Sequence, residues 1–159
     1  MAGGRDRARW DHTGRRVLLV HQDFQRRALG ELRRRGHTSL TPSLIALLPH
    51  LEQSGSRVSD VAERAGITKQ AVSKLVQELV RLGYVARAPD RDDGRAQVVT
   101  FTPTGDTLLA DIRRTIRIIE RAYAGAIGDD GLIELHALLD RVLGDDPRPG
   151  APSRPTRGT

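Results

Sequence analysis

Residues 58–75 read VSDVAERAGITKQAVSKL, and this stretch decides the fold. Small and apolar residues fall where two short helices must meet across a tight turn. Ala62 lets the helices approach closely, Gly66 supplies a left-handed turn, and Val61, Ala65, Ile67, Val72 and Leu75 fill the wedge between them. Thr68 caps the second helix and Gly83 is placed to end it. On that helix Val72, Leu75, Val76 and Leu79 form one stripe, so at about 100° per residue Gln70, Ser73, Lys74 and Gln77 project roughly opposite. Glutamine can bond adenine bidentately, lysine reaches guanine acceptors and serine adapts to either, all from a helix that fits the major groove. Lys69 and the amides at the Thr68 end suit phosphate. A polar helix face can be merely solvated. The glycine turn and the apolar wedge beside it make this one a candidate for reading DNA.

Downstream, residues 84–87 and 97–101 read as two strands, the second carrying β-branched Val98, Val99 and Thr100. The loop between them, PDRDDGRAQ at 89–97, exceeds what chain reversal needs and reads as a wing beside the recognition helix. Arg95 is placed to enter a narrow minor groove, with Asp93 holding its guanidinium and Arg91 as a second contact. Asp90, Asp92 and Asp93 work against phosphate binding there. Thr102-Pro103 then starts a long helix marked by Leu108, Ile112, Ile116, Ile119 and Tyr123 and stopped by Gly128. A last helix carries Leu132, Leu135, Leu139 and Val142.

Upstream, Val17, Val20, Phe24, Ala28 and Leu32 recur at helical spacing and Gly36 ends that helix. Thr41-Pro42 opens a second one through Leu44, Leu47, Leu48 and Leu51, closed by Gly55. Pro49 lies inside it, at a cost of about 3 kcal/mol unless the helix bends or stops, which predicts a kink over 46–49. The fold class is therefore mainly α with a small β-hairpin wing. A winged helix-turn-helix at 38–102 lies between dimerisation helices at 15–36 and 103–143, with a basic arm at 1–14 and a disordered tail at 144–159.

The 159 residues fit one small domain plus helices completed by a second copy. With no cysteine, disulfides, thiolate metal sites and cysteine nucleophiles are excluded. His12, His21, His37, His50 and His136 lack the clustered spacing of a zinc site, so no metal or cofactor is expected. No apolar run is long enough for a membrane span or a secretory signal, which predicts a cytoplasmic protein. The net charge of +6 suggests an acidic partner. That charge is uneven: residues 1–36 hold ten arginines against four acids, whereas 57–105 hold eight basic residues against six acids.

The segments SDVAERAGITKQAVSKLVQELVRLGYVAR (59–87) and PDRDDGRAQVVTFTPTG (89–105) resemble the winged helix-turn-helix of the multiple-antibiotic-resistance regulator (MarR) family. The resemblance is close over 38–105. Asp93, Gly94 and Arg95 stand at the family's Asp-Arg-Arg wing positions, so its first wing arginine is missing; Pro49 is also unusual for the second helix. The resemblance implies a homodimeric regulator, most simply a repressor, on double-stranded DNA with a pseudo-palindromic operator. It also implies release by a small anionic or phenolic effector bound between the dimer helices and the DNA-binding lobe, for which Trp10, Arg16, His21 and His50 are the candidate lining groups.

Apolar residues on the terminal helices independently favour a dimer, since the central domain is too small to cover them. No nucleophile motif, phosphate-cradling loop or Ser-His arrangement is present, and Glu63 and Glu78 have ready structural roles, so no enzymatic activity is expected. The alternative is a winged-helix module that contacts protein instead of DNA.

Overall fold

The structure, a computed structural model, describes residues 12–90 and 97–144. In chain order these form α1 (Thr13–Arg34), α2 (Pro42–Leu47), a 3₁₀ turn (Leu48–His50), α3 (Val58–Ala65), α4 (Lys69–Arg81), β1 (Val85–Pro89), β2 (Gln97–Phe101), α5 (Pro103–Ile127) and α6 (Asp129–Leu143). The strands pair antiparallel, with Val85 opposite Phe101 and Pro89 opposite Gln97. Ser56 adds a single bridge on the other edge of β2, exchanging two backbone hydrogen bonds with Val99 at 2.9 and 3.0 Å.

One core holds the central lobe together. Leu44, Leu47, Val61, Val72, Val76, Leu79, Val85 and Val99 meet there, and Leu32 of α1 and Leu108 of α5 reach in from the flanking helices. Each such side chain removed from water stabilises by about 1.5–3 kcal/mol.

Several elements differ from their sequence reading. The α-helix opened by Thr41, whose hydroxyl accepts from the Leu44 amide at 3.3 Å, ends at Leu47 and not near Gly55. Pro49 sits in the 3₁₀ turn and Leu51 is already extended, so the proline stops this helix instead of kinking it. The first helix starts at Thr13, because the His12 ring accepts from the Arg15 amide as its N-cap; residues 13 and 14, read as part of the arm, are helical. β1 runs from Val85 to Pro89, one residue later at its start and two at its end than the pattern suggests. Ile67, expected in the helix-turn-helix wedge, is 42% exposed, because the turn at Gly66 swings it outward.

The buried stripe of α5 is Leu108, Asp111, Thr115 and Ile119. Ile112 packs at the edge of the core and Ile116 is exposed, so the buried face is turned from the expected one and carries two polar residues. At the periphery, Val17, Leu18, Leu19 and Val20 of α1 are all about half exposed, and α6 buries none of its side chains. Among the described residues no helix is long and apolar enough to cross a membrane.

Candidate nucleic-acid interface

The turn between α3 and α4 depends on one residue in the left-handed region. Gly66 has φ 64° and ψ 28°, a conformation in which a Cβ would be strained. Its amide bonds the Glu63 carbonyl and the next amide, of Ile67, bonds the Ala62 carbonyl, both at 3.2 Å. These two bonds satisfy the end of α3 and send the chain into α4. There the Thr68 hydroxyl accepts from the Ala71 amide at 3.2 Å. The other amides of this first turn have no acceptor within the helix.

α4 presents two chemically distinct faces. Val72, Val76 and Leu79 are fully buried and Leu75 is half-buried, fixing the helix against the core. Thr68, Lys69, Gln70, Lys74 and Gln77 are exposed, and Ser73 is half-buried at the margin of that face. Towards the C-terminal end, Glu78 and Arg81 pair at 2.5 Å. The hydrogen bond from Arg81 holds the Glu78 carboxyl below its ordinary value, and the same bond raises the Arg81 guanidinium. Lys69 and Lys74, which meet no acidic side chain among the described residues, lie in the first half of the helix beside the outward-facing glutamines.

The wing is anchored by a contact that no local pattern announces. Arg57, the residue before α3, holds Asp90 through Nε at 2.6 Å and Nη2 at 2.5 Å, across 33 residues of sequence. Asp90 reads from sequence as an acid opposing phosphate, but its charge is met by this guanidinium. Arg91, Asp93 and Arg95 lie outside the described residues, as does Trp10.

A second feature lies among α1, α2 and α5. A cavity of about 380 Å³ separates α1, α2 and α5 and is walled chiefly by Phe24, Leu29, Ile45, Leu109, Ile112 and Ile116. His21 also lines it. Arg16 and His50 do not: Arg16 is exposed on α1, and the turn at Pro49 directs the His50 carbonyl to Arg64, which donates to it at 2.7 and 3.2 Å. Gln25 and Thr115 are further polar residues in the wall, both missed from sequence. Thr115 had a visible signal, as a polar residue breaking an apolar stripe, and its hydroxyl is buried without a hydrogen-bond partner among the described residues. Within the described residues no group of three His, Cys, Asp or Glu side chains could hold a metal ion.

Residues 38–96 match the sequence pattern of the MarR family. The chain is similar to the HTH-type transcriptional repressor MdtR of Bacillus subtilis (strain 168), with 24% identity over 119 residues, 74% of this chain and 75% of that one. Among solved structures it is similar to the reduced form of MarR from E. coli, with a TM-score of 0.72 and 19% identity over 84% of this chain and 97% of that one. It is also similar to S. aureus MepR bound to ethidium bromide, with a TM-score of 0.57 and 19% identity over 83% and 94% of the two chains. The matched region holds the glycine turn, the exposed face of α4 and the root of the wing, and the shared fold extends over both flanking helices. Residues 38–96 thus carry the MarR-family pattern, and the fold of the chain is that of the MarR structures named above.

Proposed function

We propose that the chain acts as a homodimeric repressor in the cytoplasm, reading a pseudo-palindromic operator with one α4 in each of two neighbouring major grooves. The observation that carries this reading is the exposure of Gln70, Lys74 and Gln77 on a helix whose opposite face is locked in the core. Gln70, Ser73, Lys74 and Gln77 read base edges, while Thr68, Lys69 and the first-turn amides take phosphate. Arg91 and Arg95, with Asp93, extend the contact through the wing.

Dimerisation is supported by the flanking helices. Four consecutive apolar residues, 17–20, spread over about 300° of a helix at 3.6 residues per turn, more than one packing face can cover. Ile133, Leu139 and Val142 of α6 face solvent in the single chain as well. A second copy supplies the missing cover, and two-fold symmetry sets two half-sites about one helical turn apart. Repression follows the relative named as a repressor.

The cavity supports release by a small molecule, as the ethidium-bound neighbour does. Its lining carries no acidic, lysine or arginine side chain among the described residues, which favours a phenolic effector over an anionic one. The reading is tested by gel shift on a random-site duplex library together with light-scattering mass. A two-fold motif bound by a dimer with steep salt dependence is expected. A monomer indifferent to duplex would overturn the proposal and leave the protein-binding alternative.

A further inference from the structure

Besides the packing of Leu108 in the core, helix α5 is tied to the DNA-binding lobe by hydrogen bonds at two points. At the first, the Thr102 hydroxyl accepts from the Gly105 amide at 3.0 Å and donates to the Gly83 carbonyl at 2.6 Å. The approach is so close that a Cβ on Gly105 would stand 2.0 Å from the Tyr84 carbonyl oxygen. One point of attachment lets a helix swing; a second fixes its direction.

The second point is the Asp111 carboxylate, about 9 Å further along α5 at 1.5 Å per residue. Arg114, from the next turn, reaches its Oδ1 at 3.2 Å, and Arg35, just past α1, reaches the same oxygen at 3.3 Å. His37 Nε2 is 3.3 Å from Oδ2, and His37 Nδ1 is 2.8 Å from the Tyr84 hydroxyl, at the entrance to β1. His37, Tyr84 and Asp111 are all buried. With the ring proton on Nε2, His37 donates to Asp111 and accepts from Tyr84, so both contacts are met at once. Burial pushes the Tyr84 phenol up, which keeps it a donor. Burial also pushes the Asp111 carboxyl up, but hydrogen bonds from His37 and Arg114 and the charge of Arg35 outweigh this and hold it below its ordinary value.

An apolar cluster of equal volume would hold these elements together at least as well, but hydrogen bonds to a buried carboxylate also set direction. The geometry points to Asp111, with Arg35, His37 and Tyr84, as positioning residues that fix the angle between α5 and the DNA-reading lobe and thereby the half-site spacing the dimer accepts. The inference rests on the dimeric reading proposed above. About 1 Å of slack at an arm of about 9 Å turns the lobe by about 6°. Ser73 on α4 lies ten residues, about 15 Å at 1.5 Å per residue, from Gly83 at the first attachment point, so the recognition helix moves by about 2 Å. The two recognition helices together move by about one base-pair step.

The test takes the selected operator and inserts or removes one and two base pairs between its half-sites. Each added pair also rotates one half-site by about 35°, and the full-length wild type is expected to prefer one spacing by about tenfold or more. Asp111→Leu should flatten that preference to about threefold or less while leaving the preferred half-site sequence unchanged. Tyr84→Phe removes only the oxygen bonded to His37, should flatten it part of the way, and carries the test if Asp111→Leu does not fold. Loss of affinity by the same factor at every spacing in the folded variants would show a merely structural role and overturn the inference. A wild type that selects no two-fold site would sink the dimeric reading, and the positioning role with it.

Discussion

The central lobe and the flanking helices solve the burial problem in opposite ways. In the lobe, α2, α3, α4 and the hairpin close on Val61, Val72, Val76, Leu79 and Val99, which are essentially absent from the surface. In the flanking helices, the first turns of α1 and all of α6 leave valines, leucines and isoleucines in water. The lobe is thus closed within one chain, while the flanking helices leave apolar surface uncovered. In the dimer proposed above, specificity belongs to the closed lobe and its placement on the duplex to the assembly.

The largest effect expected from breaking this contrast is on the flanking helices. Val20→Glu combined with Leu139→Glu should convert the dimer to a monomer and weaken operator binding by about 100-fold or more, since each half-site would then be bound alone. Light scattering and gel shift check both, and an unchanged mass would mean that these faces do not meet. In the lobe, Leu79→Ala should cost about 2–5 kcal/mol by opening a cavity in a closed core. Urea unfolding measures it; a cost below about 1 kcal/mol would show that the lobe is looser than its burial indicates.

Smaller effects sharpen the comparison. Gln70→Ala should leave stability unchanged, cost about 1–3 kcal/mol in operator binding and relax preference at one base pair per half-site. Selection with the variant reads this directly, and an unaltered motif would remove Gln70 from the reading set. The smallest effect is in acid. Because the Asp111 carboxyl titrates below its ordinary value in the folded chain, its contribution to stability is present above the unfolded value of 3.8 and is lost as pH falls through the depressed folded value. The stability difference between wild type and Asp111→Asn should therefore be constant above about pH 5 and shrink below it. A difference that grows in acid would contradict the direction of the shift.

Legibility followed sequence distance. Thr68, Gly66 and the stripe Val72, Val76, Leu79 are local, set by caps, turn geometry and a 3.6-residue period, and they stand where the pattern puts them. Pro49 was legible as a break, but whether a helix bends or stops there depends on what the next residues contact, and Arg64 takes the His50 carbonyl. The Arg57–Asp90 anchor, the Ser56–Val99 bridge and the cluster on Asp111 join residues 33 to 76 positions apart and leave no periodic trace. In α5 the apolar pattern ran along Leu108, Ile112 and Ile116, while the buried face took Asp111, to which the flanking residues Arg35 and His37 offer partners that hydrophobicity does not register, and Thr115, whose hydroxyl meets none among the described residues. Of the cavity, only His21 was foreseen, since its walls come from three helices distant in sequence.

The assignment of α4 is tested most directly by placing a photo-crosslinking amino acid at position 70 of the protein and irradiating it on the selected operator. Crosslinks to bases at two symmetric positions, about ten base pairs apart, are predicted, with a control probe at exposed Arg121 of α5 giving none. Base crosslinks no stronger from position 70 than from position 121 would contradict the assignment of α4 as the helix that reads DNA.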